Sequence, residues 1–220
     1  MRGLSHTRAV DRLARVCAVG TAGFLALGAF AVATTEFDHD SPPDPTVALV
    51  DAWSASRTAT HRSLGTFERV GDGGERLAAP TEVVQRPPDR LVRGFDEVSG
   101  RRDERVLACP APLDGGALDC RLGPPGASFE AVVADEVEAF AGLVTGDDPL
   151  YEVSAGERVR CWRMDRTRYD PRSGYGEAAE LCFDETTGAL ESIRIDHGRI
   201  VETTVYDDIS AQVTDADLEP

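Results

Sequence analysis

The 220-residue chain contains no lysine, so all 23 of its basic Lys+Arg residues are arginine. Aromatic residues make up only 6% of it, and it has four histidines. It carries no G-x-S-x-G, no H-E-x-x-H, no P-loop and no G-x-G-x-x-G, which removes the sequence grounds for a nucleophile-elbow hydrolase, a zincin, a P-loop NTPase or a dinucleotide-binding enzyme. His6 lies in the basic N-terminal tail, and His39, between Asp38 and Asp40, reads as part of a solvated linker. His61 opens a strand-like run and His197 sits in a turn. Neither has a local partner that would make it a general base, and both read as surface residues. The 39 acids are too many to single out a catalytic pair. No C-x-x-C occurs and no histidine stands at ligand spacing from a cysteine, so no metal or cofactor is expected. The chain reads as a non-enzyme. Its net charge of −16 argues against nucleic acid or an anionic membrane surface as partner. The absence of lysine reflects codon usage, not function.

Long apolar runs are equally scarce: there is one, VCAVGTAGFLALGAFAVAT, from Val16 to Thr34. Arg2, Arg8, Arg12 and Arg15 precede it, with Asp11 the only acid on that side. About 20 apolar residues span a bilayer core, and flanking positive charge stays inside. Everything after the run is therefore expected outside the cytoplasm. Two readings remain open. As an anchor, the run leaves residues 1–15 as a short cytoplasmic tail and 16–34 as a transmembrane helix. As a signal peptide, its small residues at Ala31 and Ala33 fit cleavage after Ala33, giving a secreted protein. Cys17 opens the run instead of closing it, so it is not a lipidation site.

Outside the cytoplasm, Cys109, Cys120, Cys161 and Cys182 are expected to be paired. Four cysteines allow three connectivities. Local pairing, Cys109–Cys120 and Cys161–Cys182, is the simplest, each bridge tying off a hairpin and contributing on the order of 3 kcal/mol.

Residues 35–45 form a polar, proline-broken stalk, and 46–220 one extracytoplasmic domain. Thr46–Thr58 reads as a helix, with Val47, Val50 and Trp53 at helical spacing. The runs HRSLGTFERV, RLAAPTEVVQ and RLVRGFDEV follow, ended by the turn residues GDGG, Pro87-Pro88 and Ser99-Gly100, and RRDERVLAC leads into the first cysteine loop, as in an antiparallel meander. From Ser128 to Val144, Phe129, Val132, Val133, Val137, Phe140, Ala141 and Val144 form one helical stripe. Five more strand-like runs complete the chain. The expected fold is α+β: a strongly curved antiparallel sheet of eight to ten strands, a half-open barrel, with helices over its concave face, preceded by one transmembrane or signal helix. Arg163, Arg166 and Arg168 form a basic patch best explained by pairing with neighbouring acids.

This order, ending in LCFDETTGAL, a strand, a turn, a strand and YDDISAQVTDADLEP, resembles the LolA-like superfamily. That group includes periplasmic lipoprotein carriers, mycobacterial lipid-binding lipoproteins and RseB-type sensor domains. The resemblance spans residues 46–220. It implies a cavity between sheet and helices, lined by some of Trp53, Phe67, Phe95, Val133, Val137, Phe140, Ile193 and Ile195. In an ordinary domain the same side chains fill the core, and sequence does not separate the two. The implied function is a membrane-tethered binding domain for a lipid or other hydrophobic ligand at the cell envelope. The second reading is an RseB-type sensor ectodomain that acts through an envelope protein partner. Whichever holds, the topology is testable: a reporter fused after Pro220 that functions only outside the cytoplasm is the expected result, and one active only inside overturns the placement.

Overall fold

The computed structural model describes residues 43–94, 97–110, 118–171 and 174–220. The tail 1–15, the stretch 16–34, stalk residues 35–42 and Phe95 lie outside the described residues. No helix among the described residues is long and apolar enough to cross a membrane.

Helix α1 runs Pro45–Thr58, and Asp44 caps it by accepting from the Thr46 amide at 2.8 Å. Pro45 fits the first turn, where its missing N–H costs nothing. Six strands follow: β1 His61–Gly71, β2 Arg76–Arg86, β3 Asp89–Arg93, β4 Glu97–Arg102, β5 Arg105–Pro110 and β6 Arg121–Pro125. Helix α2, Phe129–Val144, is capped by Ser128, whose Oγ accepts from the Ala131 amide at 3.2 Å. Five strands complete the domain: β7 Tyr151–Ala155, β8 Cys161–Arg166, β9 Ala178–Phe183, β10 Leu190–Asp196 and β11 Ile200–Ser210. A 3-10 turn, Ala216–Leu218, closes the chain.

All strands join one open, curved antiparallel sheet in the order β6-β5-β4-β3-β2-β1-β11-β10-β9-β8-β7. Two meanders, β1–β6 and β7–β11, meet where the first strand pairs with the last, from Arg62↔Ser210 to Gly71↔Ile200. A bulge sits at Leu64/Gly65 on this seam. A Cβ on Gly65 would run into the Val205 carbonyl and the Tyr206 backbone, so only glycine permits the approach. Helix α2 carries the chain from edge strand β6 to edge strand β7.

Among the described residues the sheet has eleven strands, more than the eight to ten expected. The run RLVRGFDEV contributes to two strands, β3 and β4, and the Gly94 amide donates to Glu97 O at 2.9 Å. Ser99-Gly100 is no turn but lies inside β4. Gly100 is needed there because a Cβ would strike the carbonyl of Arg90. The real β4–β5 turn is Asp103-Glu104, held at positive φ (50° and 61°) without glycine. Strand β6 escaped the pattern because Pro124 and Pro125 are tolerated only at an edge.

Both expected disulfides are present. Cys109–Cys120 ties β5 to the chain entering β6, and Cys161–Cys182 joins cross-strand neighbours of β8 and β9. The DETTG hairpin between β9 and β10 has a local cause. Asp184 Oδ1 accepts from the Thr187 amide (2.7 Å) and hydroxyl (2.6 Å) and from the Thr186 amide (3.2 Å). Gly188 then takes φ 75°.

Two cores result. In the C-terminal half, Leu49, Phe140 and Val144 of the helices meet Tyr151, Met164, Leu181 and Phe183 of β7–β9. In the N-terminal half, Val84, Leu91, Val98 and Leu107 lie on the opposite face, where the C-terminal segment covers them with Leu218 and Val213. Arg62 and Arg86 bind Asp217 and Asp215, and Arg93 donates to the Asp217 carbonyl at 2.7 Å, fastening that segment down. Leu218→Ala should therefore cost about 2–3 kcal/mol, at the low end for a buried leucine because it sits near a terminus. Urea unfolding checks this, and a change under 0.5 kcal/mol would show that the segment does not seal that face.

Candidate functional site

Strands alternate their side chains between faces. In β2–β5 the apolar set Val84, Leu91, Val98 and Leu107 points away from the helices, so the intervening residues point toward them. The register aligns these in two cross-strand rows. One is His61, Gln85, Arg90 and Arg101, and the other is Ser63, Val83, Val92 and Ser99. The helix-covered face of this half is thus largely polar. That corrects the expectation of apolar side chains pointing inward throughout, and the cause is the C-terminal segment, which gives the apolar set a different face to bury.

The two rows and the helices enclose two adjoining chambers. The larger, about 220 Å³, lies between β2–β4 and α2, with Arg90, Arg101 and Ser99 below and Phe129, Val132 and Val133 above. The smaller, about 70 Å³, lies beneath the end of α1, between Trp53, His61 and Tyr206. Arg57, Gln85 and Arg90 border both.

Most of the buried polar groups here are satisfied. Gln85 is fully buried, and its Nε2 donates to Ser56 O (3.0 Å) and Ala59 O (2.7 Å), clamping the end of α1 to β2. Arg57 Nε donates to Glu136 Oε2 at 2.7 Å, joining α1 to α2, and the guanidinium lies 5.7 Å from the Trp53 ring centroid. His61 is 5% exposed, not a surface residue, and its Nδ1 shares a 2.9 Å hydrogen bond with Ser63 Oγ. Burial, then the positive charges of Arg90 and Arg57, push its pKa down to about 4. Burial and Arg57 likewise push Arg90 down to about 10, against the opposing pull of Glu136. Three buried donors, Trp53 Nε1, Arg90 Nε and Arg101 Nε, make no hydrogen bond to the protein. Each such group is costly in an interior.

The expected ligand-lining residues separate. Val133 borders the larger chamber and Trp53 the smaller. Phe140 stacks on Trp53 (centroids 4.6 Å apart) within the core, and Ile193 and Ile195 pack against the same core. They are core residues, because both helices fill the space above β8–β10. Val137 and Phe67 are half-buried and border neither chamber, and Phe67 carries the Arg69 guanidinium 5.7 Å from its ring. Sequence reasoning missed His61, Gln85, Arg90 and Arg101. The signal was present in the alternation of RLVR, but its phase was not. Arg163, Arg166 and Arg168 pair with Asp165, Glu177 and Asp148.

The buried histidine makes stability depend on pH. Its folded pKa lies below its unfolded value, so the unfolded chain binds the extra proton. Stability is therefore lost as pH falls from about 6.5 toward 4, by roughly 3 kcal/mol. Asp165, Asp184 and Asp217, held below the usual carboxylate range by hydrogen bonds from Arg163, Thr187 and Thr214, act only at lower pH. His61→Asn should flatten the pH 6.5–4 slope in urea unfolding. An unchanged slope would mean His61 is not the titrating group.

No family model and no curated protein matches the sequence. Solved structures with a similar fold include the MucA/MucB complex of Pseudomonas aeruginosa, at 14% identity and TM-score 0.46 over 80% of this chain. This chain spans 61% of that one. Lipoprotein LppX of Mycobacterium tuberculosis matches at 15% identity and TM-score 0.41, over 79% of this chain and 99% of that one. A LolA superfamily protein of Nitrosomonas europaea matches at 8% identity and TM-score 0.34, over 80% and 98%.

Proposed function

We propose that this is an extracytoplasmic binding domain, not a catalyst, that holds a lipid or other hydrophobic ligand at the cell envelope. The observation that carries the reading is the 220 Å³ chamber under α2, roofed by Phe129, Val132 and Val133. An apolar wall facing a few placed polar groups is what small-ligand sites share. The chamber lies below the typical range of about 300–1,000 Å³, so it suits one end of a ligand whose remainder runs out of the cleft. Two disulfides favour an oxidising compartment. The Val16–Thr34 run with its arginine flank supports tethering by a single N-terminal span, with cleavage after Ala33 as the alternative.

Each methylene removed from water contributes about 0.8 kcal/mol, so an acyl chain against the roof of α2 gains affinity with length. Two twelve-carbon probes, dodecanol and dodecyl phosphate, kept below their micelle concentrations, are titrated against the full chain. At least one should bind, and Val133→Trp, which fills the chamber, should weaken that binding tenfold or more while the melting temperature stays within a few degrees. If neither probe binds, the ligand reading falls and a protein-interaction ectodomain replaces it.

A further inference from the structure

The geometry points to an oxyanionic ligand: we propose that the chamber under α2 receives the carboxylate or phosphate end of an amphiphile between Arg90 and Arg101. The inference rests on the binding reading above and names the chemistry of its ligand.

The two guanidiniums are brought together by the sheet, since Arg90 and Arg101 are direct cross-strand partners in β3 and β4. Both line the same chamber. The Nε of each is buried and donates to nothing in the protein. Arg101 has one satisfied donor, Nη2 to Ala127 O at 2.6 Å. Arg90 has no ion pair among the described residues. Glu136, the carboxylate bordering this chamber, is already committed to Arg57. Three cations therefore face one anion inside a chain whose net charge is −16.

Outside the site, among the described residues, only Arg160 has a buried arginine Nε without a partner. Other arginines of the same sheet find acids, as in Arg62–Glu82, Arg93–Glu82 and Arg69–Glu202. A buried, unpaired cation destabilises a fold, and an apolar residue of similar volume would serve packing better. An oxyanion from a ligand supplies the missing charge and accepts from the idle donors. The planar guanidinium fork suits carboxylate and phosphate oxygens. In the neighbouring chamber burial lowers the His61 pKa most, and the positive charges of Arg90 and Arg57 lower it further. The apolar chain of the ligand then lies along Phe129, Val132 and Val133. A free anion has no use for that roof.

The test compares dodecyl phosphate, laurate, dodecanol and inorganic phosphate on the full chain. The two anionic amphiphiles should bind at least tenfold more tightly than dodecanol, the effect of one charge-assisted contact. Inorganic phosphate should bind at least a hundredfold more weakly than dodecyl phosphate. In Arg90→Met the affinity ratio of dodecyl phosphate to dodecanol should fall toward one, and the melting temperature should rise as an unpaired charge leaves the interior. Arg101→Gln provides the same ratio test at a more exposed position. Equal binding of dodecanol and dodecyl phosphate, or a ratio unmoved in both variants, overturns the anion site while leaving the binding domain standing. Inorganic phosphate binding as tightly as dodecyl phosphate overturns the amphiphile. Failure of every probe removes the parent reading itself.

Discussion

The pairing of β1 with β11 makes one sheet from two meanders. Each meander alone is a run of local hairpins with a disulfide inside it, and neither bridge crosses the seam. The seam unites the first strand with the last, so it closes across nearly the whole domain and carries a large loop-closure cost. Its register also sets the site. His61 and Ser63 on β1 face the helices only because the β1 alternation keeps step with β2 on one side and β11 on the other. Gly65, where β11 comes too close for any side chain, lets the bulged strand stay paired.

The two halves of the sheet use their helix-covered face differently. Over β7–β10, α1 and α2 interdigitate with aromatic and aliphatic side chains, and Trp53, Phe140, Tyr175 and Tyr151 form a chain of ring contacts. This half behaves as close-packed core. Over β1–β4 the face is a polar row under an apolar helix wall. The difference follows from the C-terminal segment. By covering Val84, Leu91, Val98 and Leu107 on the far side, it buries the apolar surface of that half without the helices. The near side is left free to carry charge.

Charge in that position has to be accounted for group by group. Gln85 is satisfied by the carbonyls that end α1, Arg57 by Glu136, and His61 by Ser63 once it stays neutral. These contacts also lock α1 to the sheet and to α2. Trp53 Nε1, Arg90 Nε and Arg101 Nε are the exceptions at this site, donors that nothing in the protein uses. Natural folds place such unsatisfied groups where another requirement outweighs stability.

The parts readable in sequence were those with local causes. The α2 stripe and the DETTG hairpin are each settled by residues within a few positions of one another. The two disulfides follow from proximity in sequence and an oxidising compartment. The β4–β5 turn was not readable, because Asp103 and Glu104 adopt positive φ without a glycine, while Gly100 signals a turn but serves a close backbone approach. The site was not readable either. Alternation in RLVR says that Arg90 and Leu91 face opposite ways, but not which of them faces the helices. That phase was decided by distant residues, Leu218 and Val213, packing on Leu91's side. Burial of His61 and the pairing of Arg90 with Arg101 followed from it. An alternating pattern has two equivalent phases, and only the tertiary packing on each face breaks their symmetry.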